Sequence, residues 1–262
     1  MKFLYTLLIL FLLGSFTMVH ADLAGGIAAL ERNDFATAAK EFKPLAEKGD
    51  VQAQVEMGYL YFHGKGVKQD FTEAAKWLRK AAEQGNSYAQ YNLGKMYSTG
   101  KGLTQDDKEA VKYYRLAAEA GDADGRTALG LAYVNGKGVE KNDTEAAKWI
   151  RLAARQGHVR ARGLLGKMYA TGTGVKQDEK EAARYFRLSA ESGDADAQTS
   201  LGLAYLLGKG VEKDVRQAYF WSELAGERGG EMAKKVRDEA AHEMTQAQIA
   251  EARKQVRQWK PK

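Results

Sequence analysis

The sequence predicts an all-α fold, a right-handed α-solenoid of helix-turn-helix repeats, and three observations predict it. Gly85, Gly121, Gly157, Gly193 and Gly229 stand 36 residues apart, and so do Gly58, Gly94, Gly130, Gly166 and Gly202. Within each interval a glycine pair breaks the chain: Gly64/Gly66, Gly100/Gly102, Gly136/Gly138, Gly172/Gly174 and Gly208/Gly210. Only 2 prolines accompany 28 glycines in 262 residues, with Ala, Glu, Lys and Leu abundant, which favours helices over strands. A fixed period of this length marks stacked supersecondary units rather than one large core.

The elements follow in chain order. Lys2 and the apolar run Phe3 to Leu13 read as an export leader, with Val19 and Ala21 suited to signal-peptidase cleavage after Ala21. The run is short for a membrane span, which needs about 20 residues. Residues 22–49 read as a partial unit, with Phe35 to Gly49 a second helix lacking its first. Residues 50–229 hold five full repeats. In the first of them Ala53, Met57, Leu60 and Tyr61 share one helical face. The glycine pair then supplies a tight turn, with Val67 plugging the loop onto the core.

Each second helix announces its start. Asp70, Asp106, Asn142, Asp178 and Asp214 suit the N-cap, followed three residues on by Glu73, Glu109, Glu145, Glu181 and Gln217, the pattern of a capping box. Ala74, Trp77, Leu78 and Ala81 form the apolar stripe, and Trp77 recurs as Tyr113, Trp149, Tyr185 and Trp221. A large ring facing small residues such as Ala53 and Gly58 reads as a packing ladder. Gly85 and its equivalents suit the position that ends a helix. Residues 230–262 read as two capping helices, the second opened by the capping box Thr245 to Gln248 and carrying the stripe Ile249, Ala252, Val256. The basic residues Arg253, Lys254, Arg257, Lys260 and Lys262 offer contact with an anionic surface, and Lys260 to Lys262 reads as a frayed end.

The pattern A-x-x-x-L-G-x-x-Y-x-x-G-x-G-V-x-x-D-x-x-x-A-x-x-W-x-x-x-A-A-x-x-G resembles the Sel1-like repeat, a relative of the tetratricopeptide repeat with a longer inter-helix loop. Departures are few: Gly125 replaces the first-helix alanine, and Ser189 and Gly226 each replace an alanine of the A-A pair. The resemblance implies a protein-interaction scaffold. Some disulfide-rich relatives are linked to β-lactam binding or hydrolysis, an activity not carried over to a chain without cysteine. A longer period overlies the first: Leu93 to Tyr97 returns as Leu165 to Tyr169, and Leu129 to Tyr133 as Leu201 to Tyr205, as duplication of a two-repeat block would produce.

Several function classes recede on composition. Absence of cysteine removes disulfides, thiolate metal sites and Cys nucleophiles. The 4 histidines are scattered and no H-E-x-x-H, G-x-S-x-G or P-loop pattern occurs, so no catalytic residue, metal site or cofactor is expected. The net charge of +6 is interleaved, not gathered into a nucleic-acid-binding stripe.

The expected site is the concave side lined by first helices. Opposite the core face lie positions 52, 55, 59 and 62 and their equivalents, which retain aromatic, aliphatic and singly charged residues. Tyr59, Phe62, Tyr88, Tyr91, Lys95, Leu131, Lys167 and Leu203 are the expected contacts of a protein or peptide partner. The competing reading is that curvature half-buries these residues between repeats. The expected function is a non-catalytic adaptor, periplasmic or secreted. Alternatives are a glycan- or peptidoglycan-binding accessory and, last, a β-lactam hydrolase-like enzyme.

Overall fold

A computed structural model of the chain describes residues 23–262; the leader and its cleavage after Ala21 lie outside the described residues. The described residues are helical and contain no strand. They fall into two compact units, one ending at Gly125 and one running from Arg126 to Lys262.

The first unit opens with α1 (residues 23–31), which the sequence reading did not foresee. It then holds α2 (Phe35–Glu47), α3 (Val51–His63), α4 (Phe71–Glu83), α5 (Ser87–Thr99) and α6 (Asp107–Glu119). The N-terminal partial unit therefore does have a first helix, a short one. The ring of Phe42 explains why: a Cβ on Gly26 would come within 2.4 Å of it, so the bare glycine lets α1 lie directly on the ring. Phe42, Leu45, Met57 and Leu60 are fully buried together there, with Ala29 from α1 and Trp77 from α4.

From α7 (Ala123–Asn135) onward come α8 (Asp143–Arg155), α9 (Val159–Thr171), α10 (Glu179–Ala190), α11 (Ala195–Leu207), α12 (Val215–Ala225), α13 (Gly230–His242) and α14 (Gln246–Gln258). Within each unit a second helix packs on the first helix of its own repeat and on that of the next, as α4 does on α3 and α5 and α10 on α9 and α11. This is the nearest-neighbour packing of a helical solenoid.

Local chemistry sets the boundaries. Asp70 accepts from the amides of Thr72 and Glu73, Asp106, Asp178 and Asp214 cap their helices in the same way, and Asn142 accepts from the Glu145 amide alone. The reach-back half of the expected capping box is not what the N3 side chains do. Glu73, Glu109, Glu145 and Glu181 instead lie on Lys76, Lys112, Lys148 and Arg184 one turn on. Among the described residues only Thr245 and Gln248 make the reciprocal box. First helices are capped as well, by Asp50, Asn86, His158 and Asp194, which the sequence reading passed over. Asp178→Ala should cost about 1 kcal/mol by loss of the cap bonds, seen as a lower urea midpoint with unchanged helical circular dichroism at zero denaturant.

Two glycine sites explain the spacing. A Cβ on Gly58 would meet Leu78 at 2.7 Å, and on Gly94 would meet Tyr114 at 2.7 Å, so these glycines admit the second helix of their own repeat. The partner is thus Leu78, not the neighbouring Trp77 as the sequence reading had it. Trp77 turns the other way, onto Ala38, Phe42 and the preceding unit. At the loops, Gly174 has φ +68 and a Cβ there would lie 1.9 Å from the carbonyl oxygen of Asp143. Positive φ and direct contact with the preceding repeat's second helix both demand glycine.

The C-terminal helices close the array. Val236, Ala240, Met244 and Ala252 join Leu206, Ala218 and Tyr219 in one buried cluster, so α13 and α14 cover the face of α11 and α12 that a sixth repeat would occupy. Before them, Gly226 ends α12 and opens a short 3-10 turn to Gly229. The expected frayed end is docked: the Lys262 amide donates to the Glu191 carbonyl at 2.8 Å and its ammonium pairs with the Glu191 carboxylate at 3.1 Å. Arg253 is also committed, donating to the Tyr219 hydroxyl at 3.0 Å. Two of the five basic tail residues are therefore structural.

Candidate functional site: an aromatic, cationic cleft on the first unit

The first helices α3 and α5 border a cleft of about 330 Å³, at the small end of ligand pockets. Gly58 and Leu78 form part of its floor; without a side chain at Gly58 the wall there is backbone and leucine. Tyr59, Phe62 and His63 come from the last turns of α3, and Tyr88, Asn92, Lys95, Met96 and Thr99 from α5. Lys101 enters from the following loop. Helical geometry makes this grouping: positions 59, 62 and 63 share one side of α3, and 88, 92, 95, 96 and 99 one side of α5.

The aromatic residues are held, not loose. Phe62 meets Phe71 edge-on at 5.1 Å between ring centres, and Tyr59 meets His63 at 4.5 Å. The Lys65 ammonium donates to the Tyr59 hydroxyl at 2.8 Å and sits over the Phe35 ring. Tyr88 is 47% exposed at the rim. Burial pushes the Tyr88 phenol above its ordinary range. Burial, then the charges of Lys65 and Lys95, hold the His63 imidazole below its ordinary range. On the adjoining slope of α3 burial raises the Glu56 carboxyl, while Gln52 bonds to it.

Of the expected contact residues, Tyr59, Phe62, Tyr88 and Lys95 all line this one cleft. Tyr91 is half-buried against Tyr114, 6.1 Å between rings. The second unit treats its members differently. Leu131 is half-buried, Leu203 packs against the C-terminal cluster, and the exposed Lys167 lies 3.4 Å from Asp196. The supposed outer face also needs correcting at one register, where Val55, Thr127 and Thr199 are buried: Val55 joins the cluster of Ala89 and Leu93, the Thr127 hydroxyl lies 3.2 Å from the His158 ring, and Thr199 faces Gly229. The aromatic ladder of the second helices is packing material too, with Tyr113 stacked on Tyr97 and Tyr185 on Tyr169, each at 5.7 Å. Sequence reasoning missed His63 and Lys101, whose signal was their position flanking the loop glycines Gly64 and Gly100.

Among the described residues no group of three His, Asp or Glu side chains is placed to hold a metal ion. No described helix is long and apolar enough to cross a membrane.

Comparison with known proteins accords with this fold. The Sel1 repeat family model matches residues 51–86, 87–122, 123–158, 160–194 and 195–230. The chain belongs to the Sel1 repeat family. Its repeats coincide within a residue or two with those marked by the periodic glycines. A Sel1 repeat protein from Oxalobacter formigenes is similar at 33% identity and a TM-score of 0.79, over 92% of this chain and 97% of that one. The c5321 protein, a protective antigen of uropathogenic Escherichia coli with an SLR fold, is 29% identical with a TM-score of 0.62. That match covers 92% of this chain and 60% of the antigen. No curated protein matches. Sel1 repeat proteins generally mediate protein–protein interaction, and the fold is typically a non-catalytic scaffold.

Proposed function

We propose that this Sel1 repeat protein is an exported, non-catalytic adaptor that captures a protein or peptide on its first-helix face, with the cleft of α3 and α5 as the principal contact. The observation that carries the proposal is the convergence of Tyr59, Phe62, Tyr88 and Lys95 on that one cleft, with Tyr88 left exposed at its rim. Exposed tyrosine beside a concave apolar surface is the composition of an interaction hot spot. The export leader, residues 1–21, supports a place in the periplasm or outside the cell.

A photo-crosslinking side chain at Tyr88, in the native host, should yield one dominant protein adduct. The same group at Leu116, exposed on the second helix α6, should not. Equal labelling from both positions, or none from either, would overturn the assignment of the face. Tyr88→Ala should weaken capture of the adducted partner by about 2 kcal/mol, roughly thirtyfold in affinity, while its exposure at the rim leaves thermal stability within about 0.5 kcal/mol. Export is tested by sequencing the N-terminus of the mature protein, which should begin at Asp22.

A further inference from the structure

We infer that the cleft between α3 and α5 selects an acidic peptide segment, one apolar side chain entering the cavity while flanking carboxylates pair with Lys95 and Lys101. The inference rests on the adaptor reading above and adds the chemistry of the partner.

Three features point to it. First, the charges that line the cleft are of one sign, with Glu56 and Asp124 acting on Tyr88 from outside its rim. Lys95 and Lys101 line it and no Asp or Glu does. Among the described residues neither lysine has a carboxylate within ion-pair distance, whereas Lys167, which holds the place of Lys95 two repeats on, lies 3.4 Å from Asp196. Lys101 instead hovers 5.6 Å from the Phe62 ring centre and 5.7 Å from that of Phe71, a contact that fixes the cation without neutralising it. Charged groups held beside a low-dielectric wall draw an opposite charge more strongly than they would in open solvent.

Second, several of the neutral polar groups of the cleft already have partners. The Asn92 amide donates to the Tyr88 carbonyl at 2.8 Å, the Thr99 hydroxyl to the Lys95 carbonyl at 2.8 Å, and the Tyr59 hydroxyl accepts from Lys65. A glycan needs many unspent donors and acceptors around its hydroxyls; here few remain, the two lysine ammoniums with the Tyr88 hydroxyl and the His63 ring. That turns the cleft away from sugars and towards carboxylates.

Third, the cavity of about 330 Å³ has room for a single large side chain, and its inner surface is Phe62, Leu78, Met96 and the face of Gly58. One apolar anchor with charges to either side is the content of a short linear segment, which also distinguishes it from a nucleic acid, whose recognition asks for a longer run of phosphate-spaced cations.

The test uses the full mature chain and a fluorescein-labelled peptide carrying glutamates on both sides of a central phenylalanine, followed by anisotropy. A second peptide has every glutamate replaced by glutamine. The acidic peptide should bind and the glutamine peptide should bind at least about tenfold more weakly, the difference shrinking as salt shortens the screening length from about 10 Å at 0.1 M to about 3 Å at 1 M. Lys95→Glu and Lys101→Glu should each lower affinity for the acidic peptide about tenfold and leave the glutamine peptide unchanged. Lys167→Glu, in the second unit and beside Asp196, should leave both unchanged. Equal binding of the two peptides, no binding of the acidic one, unaltered affinity in the Lys95/Lys101 double variant, or displacement by an oligothymidylate of equal charge as readily as by unlabelled peptide would each overturn the inference. A Tyr88 crosslink to a partner that survives Lys95→Glu would show the adaptor reading standing while its acidic chemistry falls; absence of that crosslink would remove both.

Discussion

Phe42→Ala is expected to destabilise the protein by about 3–5 kcal/mol, the loss typical of removing a fully buried aromatic ring. Phe42 has no solvent exposure and joins α1, α2, α3 and, through Trp77, α4 in one buried cluster. Gly26 leans its backbone on the ring, so no side chain nearby can swing in to fill the space. The cavity should persist and α1 should detach first. In a repeat array each unit is held by its neighbours, so the damage should begin at the N-terminal end. Hydrogen exchange should report it as lost protection over α1 and α2, with α10 to α12 protected as in the parent. A urea midpoint within error of the parent would refute the idea that this end unit is a cap.

Gly174→Ala should cost about 3 kcal/mol or more. Alanine at φ +68 carries about 1–2 kcal/mol of backbone strain. The added methyl would also sit 1.9 Å from the Asp143 carbonyl oxygen, a clash with rigid helical backbone that only separation of the two repeats can relieve. Gly157→Ala separates the two contributions. Its φ is +92, yet its nearest neighbour is the flexible end of Arg162 at 3.5 Å, so it should cost about 1 kcal/mol. Paired urea melts of the two variants check this. Equal losses would mean that the loop glycine is there for its dihedral angle alone.

The candidate site was partly legible. Tyr59, Phe62, Tyr88 and Lys95 were named by counting 100° per residue around first helices, and they do gather in one cleft. The same counting placed Val55, Thr127 and Thr199 on the open side, where they are buried. Angular counting knows one helix at a time. It carries no information on how closely the following helix approaches, and that approach covers one edge of the expected face. Leu203 was misjudged for a related reason, since the C-terminal helices that pack near it depart from the repeat.

What the sequence determined by itself is whatever depends on residues a few positions apart. Helix starts at Asp70, Asp106, Asn142, Asp178 and Asp214, helix ends at the periodic glycines, and the unit length all follow from bonds spanning two to five residues, and such bonds form wherever the local sequence permits. Tertiary structure decided what depends on a second element brought close. It seated Leu78 rather than Trp77 on Gly58, put the short helix α1 against Phe42, and tied Lys262 to Glu191 across 71 positions of sequence. It likewise left Lys95 and Lys101 without a carboxylate while giving Lys167 one, although Lys95 and Lys167 occupy the same place in repeats of nearly the same local sequence. The next first helix carries an aspartate at the matching place in both cases, Asp124 and Asp196, so the placement of the side chains and not their identity decides whether the lysine is paired.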